Sequence, residues 1–417
     1  MKLKPLPFTY FPDDFRKETV DRIKQTINSG ECLQLIGLPG SGKSSFLSNL
    51  LLQRLKDCQV FYFDLNLLPE KSTLAILRFL AASLSGQVQD LADPQLITQA
   101  INQFLKEQQE KSQKTVFIFD DFQNLTDPSL LPFFQTLRSF HFHHRPFLTF
   151  IFALEREVRD YSPFGSLGTH LSENILFLPP LTQKEALWFL QEYEKAVGIK
   201  LPDQEKKEII AASGGFMRTL KRLAQAKPSG QSGQNLKEVL KNPWLNPHLK
   251  YHFEQLLAGL KSEETTLKNI VFNQISPADK ENLAVLQNLY LIDKDNQPIH
   301  PLFFQFLKQK FSQEKVEESL DDKINLKQRL TANEYKLLKY LVEHKTEICS
   351  KENLITTVWG KGGLSQVANH SLDQLLYRLR KKLVSTSPTV NLEIIRGRGV
   401  KLSIPEKPKG PWWQDRE

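Results

Sequence analysis

The sequence predicts an α/β P-loop domain with a parallel, doubly wound sheet and a helical lid, followed by two winged-helix domains of α+β type. Three observations lead there. The stretch Gly37-Leu-Pro-Gly-Ser-Gly-Lys43-Ser44 places a glycine-rich phosphate loop between an apolar strand pattern and an apolar-faced helix. Further apolar runs alternate with helical patterns along the first 180 residues, which favours parallel strands with their ligand at the strand C-ends. Positive charge is concentrated at the other end. Residues 324–410 carry 16 Lys and Arg against 7 Asp and Glu, whereas the rest carries 39 against 40. Such a block is the charge footprint of a polyanion-binding module.

At 417 residues the chain exceeds one ordinary core, and usual domain sizes suggest roughly three modules. Its 40% hydrophobic and 24% charged residues are the balance of a soluble globular protein. The opening MKLKPLPFTYFPDD is broken by prolines and aspartates, so no apolar signal core is expected. Phe147 to Leu154 is apolar but only long enough for a buried strand, and no membrane partner is expected. Three cysteines, Cys32, Cys58 and Cys349, are widely spaced without a CxxC pair. That pattern suits a reducing cytosol and argues against a disulfide framework or a cysteine zinc site. The histidines of Ser139-Phe-His-Phe-His-His-Arg-Pro-Phe147 lack further ligands for zinc and read as an exposed, partly basic loop.

Linkers are expected at Lys227–Asn235, rich in Gly and Ser, and at Ser312–Lys323, a charged stretch without an apolar face. The resulting plan is a P-loop domain over 1–180, a helical lid over 181–228, a small winged-helix subdomain over 236–311, a basic winged helix over 324–405 and a tail over 406–417. No repeat of solenoid period is present.

Each part of the phosphate loop has a physical task. Gly37, Gly40 and Gly42, with Pro39, Ser41 and Ser45, let backbone N–H groups turn towards phosphate oxygens at a helix N-terminus. Lys43 is expected to reach the β- and γ-phosphates and Ser44 to hold Mg²⁺. The strand pattern Val116-Phe-Ile-Phe-Asp120-Asp121 supplies the second carboxylates. Asp120 is read as a magnesium ligand through water, and Asp121 as the group that orients or deprotonates the attacking water. Cys32 to Ile36, Val60 to Leu65 and Phe147 to Ala153 supply the other strand patterns, the last followed by Glu155-Arg156.

Here the chain resembles the STAND branch of the AAA+-like P-loop ATPases. The resemblance rests on the paired aspartates, on Leu178-Pro-Pro-Leu-Thr-Gln-Lys-Glu-Ala186, and on Ser213-Gly-Gly-Phe-Met-Arg218, where Met217 replaces a proline. It extends to Ile299-His300-Pro-Leu-Phe-Phe-Gln-Phe-Leu307, with Leu289 to Ile299 as a small wing. The resemblance implies a slow ATPase using ATP and ADP with Mg²⁺. It also implies Arg156 as a γ-phosphate sensor, Arg218 on the nucleotide, and His300 as a phosphate sensor that locks a closed ADP form. The family's acidic and arginine signature before the P-loop is not found; Phe8 to Phe15 stands in its place.

From Leu330 onward, leucines at helical spacing mark two helices, over LTANEYKLLKYLV and after Ser350. In a third helix Leu372, Leu375, Leu376, Leu379 and Leu383 share one face. The opposite face carries His370, Asp373, Gln374, Tyr377, Arg378 and Lys381, flanked by Lys382. Such a front suits base edges and phosphates in a major groove. The alternating run Leu392 to Leu402 then predicts a hairpin whose wing presents Arg396, Arg398 and Lys401. This block resembles the OmpR/PhoB-type winged helix, which implies double-stranded DNA as partner, read by the third helix and the wing. No phosphoacceptor receiver precedes it, so an ATPase stands where phosphorylation acts in phosphorelay relatives.

The leading expectation is a cytoplasmic, ATP-dependent transcription regulator whose nucleotide switch controls the C-terminal winged helix. It carries with it nucleotide-dependent self-association and a protein partner that relays the signal. The alternatives are a DNA-remodelling or loading ATPase of initiator or transposition type, and a defence or signalling NTPase switch.

Overall fold

The computed structural model describes residues 10–68, 70–85, 93–125, 127–158, 174–225, 236–324, 330–344, 347–360, 366–386, 391–395 and 399–403. The chain divides into two compact units, Met1–Leu307 and Lys308–Glu417. The expected lid, and the expected middle block up to Leu307, therefore lie in the unit that holds the P-loop.

That first unit is organised by five parallel strands: β1 Leu33–Ile36, β2 Cys58–Asp64, β3 Lys114–Asp120, β4 Leu148–Leu154 and β5 Asn174–Phe177. Their order is β2-β3-β4-β1-β5. Strand β4 thus lies between the P-loop strand and the Asp120 strand, bringing three C-terminal ends side by side. A parallel sheet covered on both faces needs apolar strands throughout, and β1 and β4 are buried at every position. Phe63, Phe117, Phe119, Phe150 and Phe152 fill one core, with Phe119 and Phe152 stacked at 5.6 Å and 12°. Helices Thr73–Ser85, Pro94–Glu110 and Leu131–His144 close over it with Ile76, Leu80, Ile101, Leu105 and Phe134.

Two expectations change here. The histidine cluster is the last turn of helix Leu131–His144 rather than an exposed loop. His141 and His144 are buried. His141 Nε2 meets the Gly30 carbonyl at 3.0 Å, and His144 lies between Asn102 and Gln109. Phe140 on the same face packs into the core and draws that turn inward. The expected linker at 312–323 is likewise helical, within Pro301–Ile324. It contains neither proline nor glycine and holds three Glu and two Lys, good helix formers. The linker expected at 227–235 lies outside the described residues.

After β5, the first unit continues as helices. Gln183–Val197 starts on a capping box in which Thr182 and Glu185 satisfy each other's backbone N–H. Asp203–Ser213 and Met217–Ala224 follow, then Leu236–Lys241, Pro247–Gly259, Glu264–Val271 and Lys280–Asn288. The wing expected over 289–299 is only a turn closed by one antiparallel bridge, Ile292 to Pro298. Asp293 Oδ1 accepts from the N–H groups of Asp295 and Gln297, which tightens the turn and leaves no strand to pair. A second winged-helix domain is therefore not borne out.

In the second unit, helices Ala332–Glu343, Lys351–Trp359 and Gln366–Thr386 precede a hairpin, β6 Asn391–Ile395 and β7 Gly399–Ser403. Cys349 bridges to Val400 as a short third strand. Leu338, Leu341, Leu354, Leu372, Leu376 and Leu402 are among the residues of its core, as a winged helix requires. The tail expected from 406 lies outside the described residues.

Candidate functional site

A cavity of about 440 Å³ opens at the C-terminal ends of β1, β3 and β4. Pro39, Gly40, Gly42, Lys43, Ser44 and Ser45 form its P-loop wall, and Asp121 and Glu155 stand on the strand ends. The helix after the loop runs from Lys43–Ser45 into a π-helical turn at Phe46–Leu51 and ends at Leu52–Arg54. Lys43 is 6% exposed, and its Nζ donates to the Gly37 carbonyl. Burial pushes its amine below the ordinary lysine range, against the attraction of Glu155, Asp121 and Asp120. Ser41 Oγ is buried without a partner.

A buried cation and an orphaned hydroxyl in one glycine-rich loop fit a polyphosphate, which supplies the missing anion and acceptor. A side-chain oxygen at Ser44 and carboxylates at the neighbouring strand ends are the hard donors that Mg²⁺ takes.

The lid completes the wall. The Arg218 N–H donates to the Gly40 carbonyl at 3.0 Å. A Cβ on Gly40, which has φ +80°, would lie 2.8 Å from the Arg218 side chain. Met217, where a proline was expected, packs its sulfur on Gly42. The turn before it depends on Gly214, at φ +57°, where a Cβ would lie 1.9 Å from the Ile299 carbonyl. Arg218, Lys221 and Arg222 line the cavity together with Gln255 from helix Pro247–Gly259.

The remaining predicted residues are placed differently. Asp120 is buried, accepting from Tyr62 Oη at 2.6 Å and from the Asp121 N–H at 3.1 Å. That contact and burial raise the Tyr62 hydroxyl well above its ordinary range. Asp121 adopts φ +55°, and its oxygens accept from Asn66 Nδ2 at 2.5 Å and Gln123 Nε2 at 3.1 Å.

Arg156 does not line the cavity. It forms a bidentate pair with Glu263, at 3.0 and 2.5 Å, and donates twice to the Gly259 carbonyl. Consecutive residues leaving β4 diverge, so Glu155 faces the P-loop and Arg156 faces the helices.

His300 is not in the cavity either. It is fully buried, with Nε2 2.9 Å from Thr219 Oγ1 and Nδ1 accepting the Phe303 N–H at 3.3 Å. An accepting Nδ1 makes Nε2 the donor, hence a neutral ring. Burial drives its pKa down to about 3, and Phe216 stacks on it at 4.6 Å. It meets the lid at Thr219, one residue past Arg218.

Sequence reasoning missed the aromatic and basic end of the cavity. Phe11, Phe15 and Trp188 cluster with ring centroids 4.8–5.4 Å apart. Beside them lies Arg16, whose Nη1 donates to the Pro179 carbonyl while Nε and Nη2 are buried without partners. Desolvation lowers its pKa to about 10. Arg16 follows Phe8 to Phe15 directly in the sequence and reaches the cavity beside Phe11 and Phe15. Glu155 was likewise visible as a carboxylate ending a strand next to the P-loop strand.

In the second unit the outward face of helix Gln366–Thr386 carries His370, Asp373, Gln374, Tyr377, Arg378, Arg380 and Lys381, all exposed. Asp373 pairs with Lys351 at 2.6 Å. Gln374 contacts His370 at 3.1 Å. Lys382 is half-buried, its Nζ 2.7 Å from the buried Glu334 carboxylate, and ties this helix to Ala332–Glu343. Lys401 lies in β7 opposite Glu393. Arg396 and Arg398 lie outside the described residues.

The fold and the cavity define a P-loop nucleotide-binding protein with a second, winged-helix unit. Residues 27–161 match the family described as AAA domain, and residues 325–402 match the family described as transcriptional regulatory protein, C terminal. The chain thus joins an N-terminal AAA+-like P-loop ATPase domain to a C-terminal OmpR/PhoB-type winged-helix DNA-binding domain. No curated protein matches it.

Among solved structures, it is similar to a Walker-type ATPase of Pyrococcus abyssi at 17% identity, over 72% of this chain and 98% of the other, with a TM-score of 0.48. The ORC1 protein of Aeropyrum pernix in complex with DNA is 12% identical over 96% and 92%, with a TM-score of 0.38. Domain III of the Thermotoga maritima replication initiation protein DnaA is 15% identical over 58% and 95%, with a TM-score of 0.36. At these values the likenesses concern fold alone. No helix among the described residues is long and apolar enough to cross a membrane.

Proposed function

We propose that this chain is an ATPase acting on double-stranded DNA, in which the nucleotide held by the P-loop domain governs how the winged helix engages the duplex. Lys43 and the loop N–H groups bind the β- and γ-phosphates, and Arg218 adds a second cation from the lid. Ser44 and Asp120 hold Mg²⁺, which when bound neutralises charge on the phosphates. Asp121, fixed by Asn66 and Gln123, orients the water. In keeping with the STAND resemblance, ATP favours an open form that self-associates and ADP a closed one, and a protein partner relays the signal.

Of the two ways such a protein uses DNA, loading or remodelling is favoured by one observation. On helix Gln366–Thr386 the exposed groups suited to base edges, Asp373 and Gln374, have side-chain partners in Lys351 and His370, while Arg380 and Lys381 are exposed cations and Arg378, also exposed, has only its Nε near the Gln374 carbonyl at 3.4 Å. Cations suit phosphates, and phosphate contacts position a protein without reading sequence. The regulator reading draws support from the family matched by residues 325–402.

The test is DNA selection from a random library with ATP, with ADP and with Lys43→Ala, alongside ATP turnover with and without duplex. Recovery without a motif, with DNA-stimulated turnover, supports loading. A defined motif that is bound more tightly with ATP, but not in the Lys43 variant, supports the regulator. Recovery of no DNA overturns both.

A further inference from the structure

We propose that Glu155 is the general base of ATP hydrolysis, taking the proton of the water that Asp121 orients. The inference rests on the ATPase reading above and deepens it.

Two carboxylates at the strand ends, Asp121 and Glu155, line the cavity, with Asp120 buried next to Asp121, and the structure distinguishes the three by what already touches their oxygens. Asp120 accepts from Tyr62 on one oxygen and from the Asp121 N–H on the other. Asp121 accepts from an amide on each oxygen, Asn66 on Oδ2 and Gln123 on Oδ1. A carboxylate whose two oxygens are both engaged by donors has less lone-pair capacity left to meet a water molecule. Glu155 lines the cavity beside Lys43 and Ser44, is half-buried, and makes no hydrogen bond or ion pair with another described residue. Its position is fixed by β4, which is buried along its whole length and pairs with both β1 and β3.

The surroundings also suit the task. Burial raises the Glu155 carboxyl above the usual range, with the Asp121 charge adding to that and Lys43 opposing it. A base is more effective as its proton affinity approaches the working pH. In the step, the water oxygen bonds to the γ-phosphorus and the bond to the β,γ-bridging oxygen breaks, leaving its electron pair on ADP. One water proton passes to a Glu155 oxygen and is released afterwards with inorganic phosphate.

The experiment compares the full chain with Glu155→Gln, Glu155→Asp and Asp121→Asn. It measures ATP affinity by calorimetry, phosphate release, and the identity of nucleotide recovered from the purified proteins. Glu155→Gln is expected to keep ATP affinity within about threefold and to lose roughly a hundredfold or more in hydrolysis, the usual share of a general base. The nucleotide recovered from it shifts from ADP to ATP. Glu155→Asp loses less, since it keeps a carboxylate at longer range, and gives the same shift if the glutamine variant fails to fold. Hydrolysis by Glu155→Gln within about threefold of the parent overturns the assignment alone, as does loss of ATP binding in that variant. A parent chain that binds no ATP overturns the ATPase reading as well.

Discussion

At the cavity Lys43 and Arg16 are buried and incompletely partnered, whereas along helix Gln366–Thr386 the cations are exposed or paired with acids. Lys43 and Arg16 are 6% and 5% exposed, both pKa values are lowered by desolvation, and two Arg16 nitrogens have no acceptor. Arg378 and Lys381 lie in solvent. Lys382 reaches the buried Glu334. Burying unpaired charge lowers stability, and a polyphosphate removes that cost on arrival. The winged helix carries no comparable cost, so its core of leucines can close without a ligand and its charges act on contact. The first region is arranged to change when occupied; the second is arranged to stay as it is.

The largest expected effect concerns the pair that ties the cavity to its helices. Arg156 grips Glu263 and the Gly259 carbonyl across more than a hundred residues of chain, and the Glu263 side chain is only 3% exposed. Arg156→Ala leaves that carboxylate buried and unpaired, and should cost about 3 kcal/mol in urea unfolding. Adding Glu263→Gln should recover part of the loss. Breaking the exposed Lys351–Asp373 pair, with side chains 40% and 51% exposed, should cost less than about 1 kcal/mol. Equal losses at the two pairs would erase the contrast drawn between the regions.

Much of this arrangement was legible in the sequence, for identifiable reasons. The glycine-rich loop, the apolar strands and the leucine-backed third helix each follow from local rules of spacing. Strand β4 was visible as Phe147 to Ala153 because a strand buried on both faces must be apolar. What could not be read were choices made by packing between distant segments. Nothing local says that Glu155 turns to the phosphate loop while Arg156 turns to Glu263, because both emerge from one strand end and a residue far along the chain decides between them. His300 was read as a phosphate sensor, yet its ring is enclosed by Phe216, Phe253 and Phe303. Arg16 escaped because its role depends on Pro179 and Glu185 arriving from the far side of the sheet.

The next effect in size tests the enclosure of the histidines. Burial holds His300 and His252 neutral down to a pKa of about 3 in each, and for His252 the charges of Arg218 and Arg222 add to it. In the unfolded chain both take up protons near pH 6.5. Between about pH 6.5 and 3 the unfolded state therefore holds more protons than the folded one, so stability falls as pH falls through that window. Unfolding free energy measured from pH 7.5 to 5 should decline with a slope approaching two protons from these rings. His300→Gln should remove about one of them. A slope unchanged in that variant would mean that the ring is reached by solvent, and that the cavity region is less closed than its geometry indicates.

The smallest effect lies on the outer face of the winged helix, where three neighbouring cations are set apart by what they touch. Arg378 and Lys381 are exposed, so replacing either by alanine should leave the melting temperature unchanged. Each replacement should lower the slope of log affinity against log salt by about one contact. Lys382 is different, because its ammonium lies 2.7 Å from a Glu334 carboxylate whose side chain is 1% exposed. Lys382→Ala should leave the salt slope nearly intact and lower stability by about 1–2 kcal/mol, since the carboxylate is left with donors from Thr331. Fluorescence anisotropy on a duplex across a salt series, paired with thermal melts of the same variants, separates the two behaviours. If Lys382→Ala weakened DNA binding as much as Lys381→Ala without lowering the melting temperature, the lysine would face the duplex. The helix would then present one more phosphate contact than its packing allows.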